Sequence, residues 1–165
     1  FQRLTLSSEL SAREMGKMAA RSQSIANLPD LEVVVQGNIE AMVAENCLFS
    51  SVLGCESVAK SGEAFWGIED ETRRVFPVRR DGECRTHVFN AVELSLIDQV
   101  PRLAEMGIGS FAIDARGRTG KYARKMAEIY NEALEGGDLD WLKREARQMS
   151  MGGMTGGAFL RGRRE

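Results

Sequence analysis

The sequence predicts an α/β protein in which short parallel strands alternate with helices. Three segments have the apolar character of strands that are buried between helices, namely RLTLS (3–7), LEVVVQ (31–36) and GSFAIDAR (109–116). Segments with helical periodicity lie between and after these strands, and that alternation is typical of a parallel sheet. The chain has 165 residues, which is enough for one domain with a hydrophobic core.

Helix ends are indicated by residues that cap helices. Ser8 or Ser11 can cap the first helix, and Asp138 or Asp140 can cap the last, which runs to residue 149. Between them, the stretch 120–137 predicts an amphipathic helix. Its apolar face is formed by Tyr122, Met126, Ile129, Tyr130 and Ala133.

Two further stretches, 38–47 and 93–100, have compositions that predict helices. A short helix is expected to have Pro101 in its first turn and to end at Gly107, because proline suits a first turn and glycine suits a helix end.

The middle of the chain is less regular. Residues 48–74 show no clean period and indicate an irregular insertion. The following segment, RVFPVRRDGECRTHVFN, predicts a β-hairpin with a turn at R-D-G-E. Pro77 lies in the first strand of this hairpin, and proline is typical of edge strands, so we expect that strand at a sheet edge.

The composition excludes several classes of protein. The net charge of −2 gives no general attraction to RNA or to an anionic membrane, so RNA is a partner that the charge does not indicate. No apolar run approaches the roughly 20 residues of a membrane span, and no signal peptide opens the chain. Three cysteines are an odd number, which favours reduced thiols in a cytoplasmic protein.

Polar side chains follow each predicted strand. Because the carboxyl ends of parallel strands carry ligand-binding groups in many α/β folds, these residues are candidates for a site. The alternative interpretation is that they are ordinary caps and turns. The residues are Ser8, Glu9, Gln36, Asn38, Glu40, Asp114, Arg116 and Arg118.

Every thiol and the only imidazole lie within one window, as Cys47, Cys55, Cys84 and His87. Four such groups are enough for a closed zinc site, and C-x-x-H is a workable pair of ligands. The alternative is that the cysteines are small buried apolar residues and His87 is an ordinary strand residue. The sequence contains no H-E-x-x-H and no G-x-S-x-G. Any Ser/His or Cys/His mechanism within the chain would therefore use His87 as its base.

The segment EVVVQGNIEAMVAENCLFS (32–50) resembles the signature of the collagenase-like peptidases, peptidase family U32. Matching positions are Glu32, Gly37, Ile39, Cys47 and Ser50. Departures are Val34, Asn38, Glu40, Glu45 and Phe49, of which Glu40 stands where the family has its first cysteine. Residues 89–134, SSEL (7–10) and GGAFLRG (156–162) are also similar to family segments, so the resemblance covers nearly the whole chain.

The resemblance implies an eight-stranded β/α (TIM-like) barrel, which needs roughly 200 residues or more. We therefore expect residues 1–165 to be a single partial barrel domain, the C-terminal half, with an inserted β-hairpin. A Cys/His-containing insertion would span 48–90, and the start at Phe1 suggests a fragment. Half a barrel leaves an open sheet edge, so a homodimer is also expected.

For function, the resemblance implies a peptidase that binds metal and has a pocket at the strand ends. Asn90, Asp114 and Arg116 would line the pocket and take a peptide or a small anionic ligand. Many family members hold a [4Fe–4S] cluster through four cysteines, of which Cys47, Cys55 and Cys84 would stand for three. With His87 as the fourth ligand, the set better suits zinc, and the cluster is the alternative.

Two other functions stay open. One is an iron–sulfur-dependent accessory protein or hydroxylase that modifies RNA or a quinone precursor, as the resemblance also implies. The other is a non-enzymatic barrel that binds a peptide or another ligand, which the absence of protease motifs favours over proteolysis.

Overall fold

The computed structural model describes residues 2–25, 27–50, 54 and 64–161. The strands are β1 (Arg3–Leu6), β2 (Asp30–Gly37), β3 (Glu40–Ala44), β4 (Trp66–Glu69), β5 (Val75–Arg80), β6 (Thr86–Phe89), β7 (Glu93–Ser95), β8 (Ser110–Asp114) and β9 (Met154–Thr155). The helices are α1 (Ala12–Gln23), α2 (Val100–Glu105), α3 (Gly120–Leu134), α4 (Leu139–Met149) and α5 (Gly157–Arg161), with a 3₁₀ turn at Ile97–Gln99.

The first sheet contains the three apolar strands that the sequence predicts. β2 pairs in parallel with β1 on one side and with β8 on the other. Beyond the end of β1, the last two residues of β2 pair antiparallel with β7, and β7 pairs in parallel with β9. The α/β class is therefore confirmed, but the strands of the described part form a mixed open sheet and no closed barrel, so a partial barrel is not established.

Helices cover this sheet and complete its core. The apolar face predicted for 120–137 is the buried face of α3, and all five of its residues are buried. α1 and α4 contribute Met15 and Leu142, which pack in the same core. Among the described residues, no helix has the length and apolar character needed to span a bilayer.

The structure selects one of the two predicted caps at each helix. Ser11 caps α1, and its hydroxyl and the Glu14 carboxylate form a capping box. Asp138 caps α4 by accepting hydrogen bonds from two backbone N–H groups. α2 has its proline in the first turn, and Gly107 follows it with φ +89°, as expected.

The second sheet is antiparallel, in the order β3-β6-β5-β4. Its hairpin, β5 and β6, is the one that the sequence predicts. The prediction that Pro77 marks an edge strand was wrong, because β4 covers that side and pairs Gly67 with Pro77. The proline is tolerated because pairing with β6 begins only at Val78, one residue later.

Two predicted helices were wrong, one wholly and one in part. Residues 38–47 contain β3, which pairs with β6. In the stretch 93–100, the first three residues form β7, which pairs with β2 and β9, whereas Ile97–Gln99 form the 3₁₀ turn and Val100 begins α2. Both stretches contain several residues of types that favour helices in isolation, namely Ala, Met, Glu and Leu. Pairing with distant strands overrides that preference, and β7 is buried at each of its three residues.

Candidate functional site

A row of charged side chains that contact one another connects the first sheet to the second at the carboxyl end of β8. Asp114, the last residue of β8, accepts hydrogen bonds from the Arg116 guanidinium, with 2.6 Å between Oδ2 and Nη2. Arg116 Nη1 lies 3.4 Å from Oε2 of Glu40, the first residue of β3. Asp114 is the main cause that raises the pKa of Arg116, so the guanidinium is firmly cationic.

The same Glu40 oxygen contacts the only histidine of the chain. His87 Nδ1 lies 2.9 Å from Glu40 Oε2, and His87 Nε2 lies 3.1 Å from Asp81 Oδ2. Arg85 also pairs with Asp81, at 2.7 Å. The contact with His87 is the largest cause that lowers the pKa of Asp81 far below its ordinary value. The imidazole is therefore fixed between two carboxylates. When both ring nitrogens carry a proton, it donates one hydrogen bond to each carboxylate.

Local geometry explains why Glu40 points toward these partners. Gly37 ends β2 with φ +130°, where the backbone passes so close to Asp114 that a Cβ would lie 2.2 Å from its carbonyl oxygen. The chain then enters β3, whose register with β6 shifts between Glu40 and Met42. Such a bulge changes the direction of a side chain at a strand end.

Glu40 also lines a cavity of about 310 Å³ at the carboxyl end of β1. That volume is near the lower end of small-ligand sites, which start at roughly 300 Å³. The polar groups around it have both signs of charge. They belong to Ser8, Glu9, Glu40, Asn90, Thr155 and Arg161.

A second polar network, centred on a buried carboxylate, lies beneath the strand ends. Glu93 of β7 is 0% exposed, and its carboxylate forms an ion pair with Arg118. It accepts further hydrogen bonds from Gln36 Nε2 at 2.8 Å, Tyr122 Oη at 2.7 Å and the Met151 backbone N at 2.8 Å. Arg118 also donates to the Met149 carbonyl and lies over the Tyr122 ring. The network ties β2, β7, α3 and the segment after α4 together.

Both tyrosines of the chain belong to this buried region. Burial, followed by the contact with Glu93, raises the pKa of Tyr122 well above its ordinary value. Burial also raises the pKa of Tyr130, whose hydroxyl donates to the Val35 carbonyl at 2.7 Å. Both phenols are therefore neutral donors at any physiological pH.

The residues predicted for the pocket lie near one another but differ in role. Asn90 lines the cavity, and its backbone carbonyl accepts a hydrogen bond from the Asn38 amide at 2.8 Å. Arg116 meets the cavity through its contact with Glu40, while Asp114 orients Arg116. The polar strand ends do converge: Ser8, Glu9 and Glu40 line one cavity, and Gln36 and Arg118 meet at Glu93.

The predicted metal ligands are not gathered in the described part of the chain. Cys47 is partly buried, Cys84 is exposed and accepts a contact from Arg80 at 3.3 Å, and Cys55 lies outside the described residues. Both ring nitrogens of His87 are engaged by carboxylates. Within the residues that the structure describes, no group of three His, Cys, Asp or Glu side chains could hold a metal ion. The described residues therefore do not fit a metal site as they stand, and the four-residue set stays a prediction.

Sequence reasoning missed Asp81 and Glu93. Asp81 was assigned only to a turn, and nothing local shows that the turn folds back onto His87. Glu93 was placed on a helix, where a glutamate is ordinarily exposed. The alternation of Leu94 and Leu96 with polar residues was a usable signal for a half-buried strand, but it places Glu93 on the polar face and does not predict its burial.

The fold and the site together define a mixed α/β protein with a charged cluster and a cavity at the carboxyl ends of its parallel strands. The model of peptidase family U32 matches residues 1–156, and the chain belongs to that family. This confirms the resemblance drawn from the signature in residues 32–50. No curated protein and no solved structure matches the chain.

Proposed function

We propose that this member of peptidase family U32 binds a peptide segment in the strand-end cavity and that Glu40 acts on the bound peptide. One observation supports this proposal above all. Glu40 Oε2 is held by His87 and Arg116, whereas Oε1 accepts no hydrogen bond from any described residue. A carboxylate that lines a cavity with one oxygen fixed and the other available is suited to general-base work.

The chemistry follows from this arrangement. Glu40 takes a proton from a water molecule while the water oxygen bonds to the carbonyl carbon of the peptide. The C–N bond then breaks, and the departing amine takes up the proton. Arg116 and His87 are positioning residues in this scheme, because each fixes the Glu40 carboxylate. Asp114 and Asp81 in turn fix those two side chains.

The sole histidine provides a direct reporter for binding. The ring signals of His87 in an NMR spectrum should shift saturably when the end-blocked peptide acetyl-Ala-Ala-Phe-Ala-Ala-amide is added. Arg161→Glu, which reverses a charge in the cavity wall, should weaken the binding. Glu69→Gln, an exposed change on β4 of the second sheet, should leave it unchanged. No saturable shift, or equal weakening by both variants, would exclude the cavity as the peptide site.

Binding without cleavage would favour the alternative of a non-enzymatic peptide-binding protein. The proposal does not require two copies of the chain, so the expected homodimer stays a separate prediction.

Zinc binding by Cys47, Cys55, Cys84 and His87 also stays a proposal, independent of the cavity. It requires His87 to release one of its two carboxylate partners. Elemental analysis of protein purified without oxygen tests it. Zinc that is present in the wild type and lost in Cys84→Ser would support the set, and iron with sulfide would favour the [4Fe–4S] alternative. Wild-type protein without either metal would remove the proposal.

A further inference from the structure

A second cavity, of about 320 Å³, lies where the second sheet meets the loop that follows β8. Its wall is largely aromatic and apolar, which distinguishes it from the strand-end cavity. The apolar wall is formed by Phe65, Trp66, Val75, Pro77 and Phe89. Asn38, Gly67, Met151 and the loop residues Arg116, Gly117 and Arg118 complete it.

The aromatic walls are held in place by their own contacts. The rings of Phe65 and Phe89 pack at 5.4 Å between centroids, and Trp66 packs on Phe49 at 5.8 Å. Gly117 brings the loop against Phe65 so closely that a Cβ would lie 2.9 Å from the ring. Trp66 nevertheless keeps 37% of its surface exposed. A large aromatic side chain that is fixed but partly uncovered is a natural partner for another flat ring.

Charge selects among the flat groups that could enter. Both arginines of the wall are already compensated, Arg116 by Asp114 and Glu40, and Arg118 by the buried Glu93. The cavity therefore offers guanidinium planes and aromatic faces without an uncompensated positive charge. A neutral aromatic ring can stack on the guanidinium planes and on the aromatic faces. A phosphate would instead be repelled by the neighbouring carboxylates.

The two cavities meet at one ion pair. Arg116 lines the aromatic cavity, and its Nη1 contacts Glu40, which lines the strand-end cavity. We infer that the aromatic cavity is a specificity subsite that takes a phenylalanine, tyrosine or tryptophan side chain of the peptide bound beside Glu40. This inference rests on the proposed function for the identity of the ligand, but the subsite itself can be tested alone.

The chain has two tryptophans, so Trp141→Phe leaves Trp66 as the only indole. In that background, N-acetylphenylalaninamide should change the Trp66 emission saturably. Val75→Glu places a carboxylate in the cavity wall and should weaken this binding roughly tenfold or more, because an unpaired carboxylate is costly to desolvate. Ile68→Glu is the matched control, since Ile68 is similarly exposed on the adjacent strand and lies outside the wall.

Each result decides the inference. Saturable binding that Val75→Glu weakens and Ile68→Glu does not would support the subsite. No saturable change, equal effects of the two variants, or saturation by adenosine monophosphate at a lower concentration than by the amide would overturn it.

A pair of peptides separates failure of the subsite from failure of the proposed function. Acetyl-Ala-Ala-Phe-Ala-Ala-amide should bind more tightly than the same peptide with alanine at its centre, as read from the His87 signals. Equal affinities would refute the subsite and leave peptide binding intact. If neither peptide binds while N-acetylphenylalaninamide does, the proposed function fails and the aromatic site stands as a site for another ligand.

Discussion

The substitution Glu93→Gln tests whether the buried network holds the two sides of the strand-end region together. The side chain keeps its shape, but the ion pair with Arg118 is lost, and an NH₂ group then faces donors from Gln36, Tyr122 or Met151. Removing one partner of a buried pair typically costs about 3–5 kcal/mol, because the remaining charge is left uncompensated. Glu93 is 0% exposed, and the Arg118 side chain is 10% exposed, so solvent screening gives little relief.

The measurement is the free energy of unfolding from urea titration. We expect Glu93→Gln to lower it by about 3 kcal/mol or more, which moves the midpoint by roughly 1 M urea or more for a domain of this size. Asp98→Asn is the control, because its pair with Lys143 has side chains 33% and 45% exposed and should contribute less than about 1 kcal/mol. The double variant Glu93→Gln with Arg118→Met should recover part of the loss, since the uncompensated charge is gone. A Glu93→Gln protein as stable as the Asp98→Asn protein would refute the reasoning.

Three further predictions concern pH and backbone geometry. The pKa values of Tyr122 and Tyr130 are raised in the folded protein, so the phenols of the unfolded chain ionise first and stability falls as pH rises above about 10. Absorbance at 295 nm should therefore rise in one step, together with the loss of circular dichroism. A gradual rise of this absorbance while the protein stays folded would contradict the prediction. The pKa of Asp70 is lowered to about 2, chiefly by the Thr72 hydroxyl, so this carboxylate stabilises the β4–β5 turn above about pH 4 and the stabilisation is lost as pH falls toward 2. Carbon-detected NMR titration of the Asp70 carboxylate measures this pKa, and a titration midpoint near 4 would contradict the prediction. Gly37→Ala should lower the free energy of unfolding more than Gly136→Ala. Both glycines have positive φ, but only at Gly37 would an added Cβ lie 2.2 Å from the Asp114 carbonyl oxygen. Equal losses of stability in urea titration would show that this close approach is unimportant.

The parts of the fold that could be predicted are those encoded locally. The five buried residues of α3, the Ser11 capping box and the turn at R-D-G-E each depend on residues close together in sequence. β3 and β7 were missed because their strand conformation depends on pairing with β6 and β2, about 40 to 60 residues away, while their composition favours a helix. The prediction of an edge strand at Pro77 was wrong for the same reason, because β4, which covers that side, lies in a stretch where the sequence shows no clean period.

The site was predictable to the extent that it depends on parallel strands. Polar residues after β1, β2 and β8 were expected to converge because the carboxyl ends of parallel strands meet at one edge. The contact between Glu40 and His87 could not be predicted. It depends on a register shift in β3 that no local pattern shows. The sequence did identify both positions, Glu40 as a departure from the family signature and His87 as the only imidazole.

The most direct test of the account is the rate at which the wild type and Glu40→Gln cleave acetyl-Ala-Ala-Phe-Ala-Ala-amide, measured by mass spectrometry with the peptide in excess. The account predicts cleavage by the wild type and a rate reduced roughly 100-fold or more in the variant, with binding monitored in parallel through the His87 signals and little changed, because a general base contributes about 10²–10⁴-fold. Cleavage by Glu40→Gln at the wild-type rate would contradict the account.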